Sequence, residues 1–284
     1  MDDITREQIR RNEESRSGWK NYASHRETVT QLILNSAGDG NSLTVLGAGN
    51  CNDIDLGQLA DRFEIISLVD IDRTAIEAGM RQQGFPLDDK RFRILASDVT
   101  GFFSELNELG LTENPDAEKL LELATLAAKS QPAELPSPAD VVVSTGLITQ
   151  LVEATIKTAG EANVASTDSP GLQLVQAVRR RHLRLLSELT NPSGTAILVT
   201  EVVSSKTVPG LPNARREQLP ALLQSCLASG NFFTGLHPGI IYQEMMSPDF
   251  GCEFEGVRLT PPWLWEFTAR TYAVVALSAR RRND

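Results

Sequence analysis

LTVLGAGNCNDIDL, from Leu43 to Leu56, decides how the rest of this 284-residue chain is read. Leu43 to Leu46 is a short apolar run with the composition of a buried strand. It breaks at Gly47 and Gly49, and apolar residues return where a helix is expected over Ile54 to Ala60. Glycine at 47 permits a tight turn, and glycine at 49 lets another group lie against the backbone without meeting a Cβ. In open α/β sheets ligands bind beyond the carboxyl ends of the strands, so a bare bend directly after a buried strand points to a ligand.

Outward from the bend, apolar runs alternate with helical stretches. Glu64 to Val69, Phe92 to Ala96, Val141 to Val143 and Thr195 to Thr200 predict strands. Thr74 to Gln82, Thr112 to Lys129, Leu172 to Leu189 and Glu217 to Ala228 predict helices. Phe232 to Gln243 and Thr271 to Ser278 predict two late strands that close one edge as a hairpin-like pair. Continuous apolar strands alternating with helices indicate a parallel sheet covered on both faces, an α/β fold. Ahead of the bend, Thr5 to Leu34 predicts a helix with Trp19, Tyr22, Arg26 and Val29 or Thr30 on one face. Gly38, Asp39 and Gly40 end it, giving an N-terminal helical segment over residues 1–38, above the pocket, and a sheet domain over 39–284. Three prolines make residues 131–139 a connector. Thr112 to Ala139 fits either an ordinary crossover or a small lid.

The bulk numbers narrow the classes. With 27 Lys and Arg against 37 Asp and Glu, the net charge is −10. Such a field repels phosphate, which argues against nucleic acid and anionic membranes as partners. Cys51, Cys226 and Cys252 are widely spaced and odd in number, so they predict neither a disulfide framework nor a metal site. The charged N-terminus lacks the apolar core of a signal peptide, and no run approaches the length of a membrane span. These features predict a cytoplasmic protein.

Two acids extend the reading of the bend. Gly47 and Gly49 match the first two glycines of the dinucleotide pattern G-x-G-x-x-G, but Asn52 stands at the third. Asp70 ends the second strand, 23 residues after Gly47, where a carboxylate can accept from ribose hydroxyls. Asp98, at the end of the next strand, can accept from an adenine amine. Asp72 fits the cap of the helix that follows it.

In VLGAGNCND (Val45 to Asp53), SLVDID (Ser67 to Asp72), ILASDV (Ile94 to Val99), ADVVVSTGLITQL (Ala139 to Leu151) and GTAILVTEV (Gly194 to Val202), the sequence resembles the class I S-adenosylmethionine-dependent methyltransferases over about residues 40–280. The resemblance implies a Rossmann-like, doubly wound, mostly parallel seven-stranded sheet with an antiparallel last strand. It implies S-adenosylmethionine as cofactor. Gly47, Ala48 and Gly49 would pack against its methionine part, and Asp70 would bind the ribose. Ile71, Asp98 and Val99 would hold the adenine, and Ser144 and Thr145 would floor the site near the transferred methyl. Two departures matter. Cys51 replaces the family's common third glycine, and Ser-Thr-Gly-Leu stands where amino-methylating nucleic-acid enzymes carry Asn-Pro-Pro-Tyr. The acceptor expected is therefore a small molecule or a protein side chain. The alternatives are a non-catalytic module binding the same cofactor and an NAD(P)-dependent oxidoreductase.

Further candidates have bland counterparts. Arg26 can pair with the cofactor's carboxylate, and Tyr22 or His25 can touch the substrate. The plainer reading packs Trp19 and Tyr22 on the core and leaves His25 and Arg26 in solvent. In VRRRHLRLL (Val178 to Leu186) the apolar residues keep helical spacing, so the arginines read as a solvated face. His237 and Glu201 are candidate bases if they lie at the carboxyl edge of the sheet. Trp263 and Trp265 are expected to pack a last helix on the sheet. No spacing suggests a metal.

Overall fold

The apolar runs become the parallel centre of one sheet: β1 (Ser42–Leu46), β2 (Ile65–Asp70), β3 (Phe92–Ala96), β4 (Ala139–Thr145) and β5 (Thr190–Ser204). The computed structural model describes residues 3–110, 115–267 and 269–283. Within them, β6 (Phe254–Leu259), β7 (Trp263–Phe267) and β8 (Arg270–Arg281) complete an eight-stranded sheet. Its path is β3-β2-β1-β4-β5-β8-β6, with β7 also paired to β8. β8 runs antiparallel to β5, β6 and β7, and is the reversed strand. This is the Rossmann-like, doubly wound sheet expected, with one strand beyond the seven. The extra strand has a simple origin. β6 and β7 lie end to end along β8, pairing with its residues 277–281 and 270–274. Pro261 and Pro262 fall between them, and a residue without an N–H cannot continue the ladder.

Strand alternation sends side chains to two cores. Leu43, Val45, Ile66, Leu68, Val141 and Val143 pack with Val29 and Ile33 on one face. Leu46, Val69, Val142 and Leu198 pack with Ile148, Leu183 and Leu186 on the other. The helices contributing these residues are α2 (Ala23–Ser36), α7 (Leu147–Ala159) and α8 (Pro170–Leu189). Among the described residues no helix is long and apolar enough to cross a membrane.

Several expectations are corrected. The N-terminal helix is two helices, α1 (Asp3–Ser15) and α2, parted by a short 3-10 turn at Arg16–Gly18. A Cβ on Gly18 would come within 3.2 Å of the Tyr22 ring, so glycine lets the chain fold back there. Phe232 to Gln243 is not a strand. It contains a loop and α10 (Pro238–Met246), where His237 caps and Pro238 starts the first turn. Trp263 and Trp265 sit on β7 rather than under a last helix. The arginines of α8 are not all a solvated face: Arg179, Arg181 and His182 are 3–4% exposed, while Arg180 and Arg184 are half-buried. The helix expected from Thr112 is α6 (Ala117–Lys129), capped by Asp116; Thr112 lies outside the described residues. The helix expected from Glu217 is α9 (Leu219–Ala228). α3 (Leu56–Arg62) and α4 (Arg73–Gln82) follow β1 and β2, and α5 (Phe103–Gly110) follows β3.

Candidate functional site at the carboxyl edge

The bend after β1 is left-handed at three alternate residues: φ is 75° at Gly47, 46° at Gly49 and 53° at Cys51. Cys51 therefore makes, as a non-glycine, the turn that a third glycine would make without strain, at a cost of roughly 1–2 kcal/mol. The thiol is fully buried, which offsets part of that cost. The N–H groups of Gly47 and Ala48 both donate to Val69 O, which ties the bend to β2. α4 comes so close to the bend that a Cβ on Gly79 would lie 2.2 Å from the Asn50 carbonyl oxygen. Gly79→Ala is accordingly expected to cost about 1–3 kcal/mol through overpacking, read as a lower urea midpoint.

Asp70 stands where β2 ends. One carboxylate oxygen accepts from Gly49 N at 2.9 Å and the other from Asp72 N at 2.9 Å. Burial pushes its pKa up, while the two backbone N–H groups favour the charged form. A carboxylate has about four acceptor sites, so with these two bonds and a longer one from the Asn12 amide about one remains for a ligand. Asn12 of α1 lies over it, with its amide 3.4 Å from the carboxylate. Asp72 caps α4 through Thr74 N and Ala75 N.

Beside Asp70 runs a narrow slot of about 30 Å³, lined in part by Gln8, Ile71, Asp98 and Val99. Asp98 is occupied. It accepts from Thr100 N and Oγ1 at 2.8 and 2.6 Å, and from Phe102 N and Phe103 N at 3.2 and 3.1 Å. It therefore holds the start of α5, and no lone pair is left for an adenine amine. Gln8, 7% exposed, has an Oε1 without a partner among the described residues. Gln8 and Asn12 escaped sequence reading because a helix far ahead of the bend carries no fixed spacing to it.

A cavity of about 430 Å³ adjoins the slot, and both are lined by Asn12, Gly47, Asp70 and Gln150. Ala48, Gly49, Thr145, Tyr22, His25 and Glu201 also line it. Ser144 does not. Consecutive strand residues face opposite sides, so Ser144 meets His182 Nε2 of α8 at 2.9 Å while Thr145 turns to the cavity. Burial pushes the His182 pKa down to about 3, with Arg181 adding to the effect, so this ring is neutral. Arg26 is likewise absent from the lining. Its guanidinium lies 3.4 Å from the Trp19 ring centroid and donates to Trp19 O and Asn52 O. His237 is spent on the α10 cap, where Nδ1 accepts from Gly239 N at 3.1 Å, and it too lies off the cavity.

His25 has a fixed role in the wall. Trp263 Nε1–H donates to its Nδ1 at 3.1 Å, and its Nε2 lies 3.1 Å from Asp53. A proton-free Nδ1 leaves the proton on Nε2, which donates to the carboxylate. Glu201, 5% exposed on β5, accepts from the Thr149 hydroxyl, and burial pushes its pKa up to about 7. A register shift between Glu201 and Val203 against β8 marks a bulge, a device that re-aims side chains beside sites.

No protein-family model matches the sequence, and neither does any curated protein. Solved structures do resemble it. The N-methyltransferase NodS of Bradyrhizobium japonicum, in complex with S-adenosyl-L-homocysteine, is 10% identical with a TM-score of 0.44, over 91% of this chain and 87% of that one. The 1,6-didemethyltoxoflavin-N1-methyltransferase of Burkholderia thailandensis, with bound 1,6-didemethyltoxoflavin and S-adenosylhomocysteine, is 8% identical with a TM-score of 0.47, over 99% and 88%. An O-methyltransferase family protein of Burkholderia thailandensis is 12% identical with a TM-score of 0.41, over 90% and 56%. At such scores the likeness is one of general fold and assigns neither substrate nor residue roles to this chain.

Proposed function

We propose that the chain binds S-adenosylmethionine and transfers its methyl group to a small molecule or a protein side chain. The observation that carries this reading is Asp70: a half-buried carboxylate with an acceptor site to spare, bonded to the backbone of the glycine bend and opening on a large cavity. The residues fit the group. The cavity falls within the usual range for small-molecule sites, on the order of 300–1,000 Å³. The bend offers Gly47 to Gly49 to the methionine part and Asp70 to the ribose, and the adenine lies toward Ile71, Val99 and Gln8, whose slot of about 30 Å³ must widen to admit it. When bound, the cofactor supplies an activated methyl group on a sulfonium. The chain's part is to orient the acceptor and exclude water, with α1 lying over the ribose position.

A dinucleotide fits less well. Its pyrophosphate needs the free N-terminus of the helix after β1. Here Asp55 caps α3, accepting from Gln58 N at 3.0 Å, and places a negative charge where the anion would sit.

Calorimetry with S-adenosylhomocysteine and NAD(H), on wild type and Asp70→Ala, tests the reading. The expected result is S-adenosylhomocysteine binding that weakens by about 1.5–3 kcal/mol in the variant, as for loss of hydrogen bonds to a charged group. Absence of S-adenosylhomocysteine binding to wild type refutes the proposal, and binding of NAD(H) instead favours the oxidoreductase. An acceptor screen then separates an enzyme from a binding module, because only the enzyme turns the cofactor over.

A further inference from the structure

Glu201 is a buried carboxylate that forms no ion pair among the described residues, although it lines the cavity. Burying a charge is costly unless a partner compensates, and Thr149 supplies a single hydrogen bond. None of the cations around it forms an ion pair with it among the described residues. Tyr22 stands just before α2, and from α2 comes the His25 ring, whose Nδ1 accepts from Trp263 and whose Nε2 is bonded to Asp53, a second carboxylate. From α7 comes Glu153, tied 3.0 Å from Arg11 of α1. Lys206 and Arg270 are exposed at the rim, and Tyr272 of β8 is a neutral phenol that burial drives further from ionising.

One wall of this chamber is aromatic. Trp265 lies 5.3 Å from the Tyr22 ring, 5.3 Å from Phe267 and 5.5 Å from Tyr272, and Phe233 lies 6.3 Å from Tyr272. Aromatic faces attract cations and pack flat apolar groups. Glu201 Oε1 stands only 3.1 Å from where a Cβ on Gly146 would be, so this carboxylate reaches the segment just after β4, next to the cofactor bend.

We propose that the chamber takes an amine carried on a flat apolar group, held as its ammonium by Glu201, which then accepts its proton. The inference rests on the cofactor reading above for its purpose. In the proton transfer one N–H bond breaks, its electron pair stays on nitrogen as a free lone pair, and the proton passes to a Glu201 carboxylate oxygen. Charge is conserved: an ammonium and a carboxylate become a neutral amine and a carboxylic acid.

The test is calorimetric titration of the full chain with three probes of one shape and different charge: tryptamine, its neutral isostere tryptophol, and the anion indole-3-propionate. Each is run with and without S-adenosylhomocysteine, whose own binding is recorded first. The expected result is tryptamine binding at least tenfold tighter than either isostere. Glu201→Gln should weaken tryptamine at least tenfold and leave tryptophol unchanged, and Glu201→Asp should restore part of the loss. Thermal melts establish that each variant is folded. Equal binding of tryptophol, an unchanged tryptamine affinity in Glu201→Gln, or no tryptamine binding by a chain that does bind S-adenosylhomocysteine overturns the inference alone. Failure of S-adenosylhomocysteine to bind, with the tryptamine preference intact, overturns the cofactor reading and leaves the amine chamber standing.

Discussion

Glu244→Ala is expected to cost about 3–5 kcal/mol of folding stability, because it strands a buried guanidinium. Arg179 of α8 grips the Glu244 carboxylate with two parallel bonds, Nε to Oε2 at 2.7 Å and Nη2 to Oε1 at 2.6 Å. The two side chains are 3% and 4% exposed. Arg180 adds a third bond at 2.8 Å, and Arg179 Nη1 donates to Gly235 O at 2.6 Å. This fork fastens α10 and the loop before it to α8. The same loop carries Phe233, Thr234 and Leu236 into the cavity wall, so the pair also fixes one side of the chamber. The double replacement Arg179→Met with Glu244→Leu should cost much less than Glu244→Ala, since it leaves no unpaired charge. Urea unfolding of the three proteins measures both effects. A loss under about 1 kcal/mol for Glu244→Ala would mean the guanidinium finds water, as exposed pairs do.

That pair was invisible in the sequence, and the reason is instructive. Leu174, Val178, Leu185 and Leu189 keep helical spacing, which correctly marks an apolar face of α8. Spacing says nothing of a second contact surface on the same helix. α6 and α10 cover the arginine side, and a cation is buried there because Glu244, 65 residues away, meets it. Periodicity reads one partner per helix, whereas α8 has several. The late region fails for a related reason. Ile240 and Ile241 fit a strand or a helix equally well by pattern, and His237-Pro238 as a cap and first turn was the cue that settles it. α7 is preceded by Gly146, with φ 61° and no side-chain cap, so it offers no start signal.

The strands, the bend and Asp70 were legible because each rests on local chemistry: a continuous apolar run, a residue without a Cβ, an acid at a strand end. Cys51 shows the limit of matching residue types. What the bend requires is a left-handed backbone, and Cys51 adopts it at φ 53°. The close approach that glycine often serves is met instead from the other side, by Gly79 of α4. Ser144 and Thr145 make the same point about direction. Both lie at the carboxyl end of β4, yet the pleat gives one to His182 and the other to the cavity.

Glu201→Gln is expected to change the pH dependence of stability by up to about 3 kcal/mol. The Glu201 pKa is pushed from 4.5 to about 7 in the folded chain, first by burial, against the hydrogen bond from Thr149. Between those values the unfolded chain has lost its proton while the folded chain keeps one. The folded state thus binds more protons, and stability falls as pH rises from about 4.5 to about 7, then levels off. Each unit of difference is worth about 1.4 kcal/mol, which sets the upper figure. Glutamine keeps an oxygen for the Thr149 hydroxyl and cannot ionise, so the variant lacks this slope. Relative to wild type it should gain stability between pH 5 and pH 8, read from urea midpoints at the two pH values. An equal difference at both would show that Glu201 ionises as freely in the fold as in the unfolded chain. The cost and the proposed use have one origin. A carboxylate that water and cations do not stabilise is unfavourable to the empty fold, and for the same reason it holds an ammonium and takes a proton near neutral pH. An amine that binds there should therefore flatten the wild-type slope, because it provides the charge that the chain leaves out.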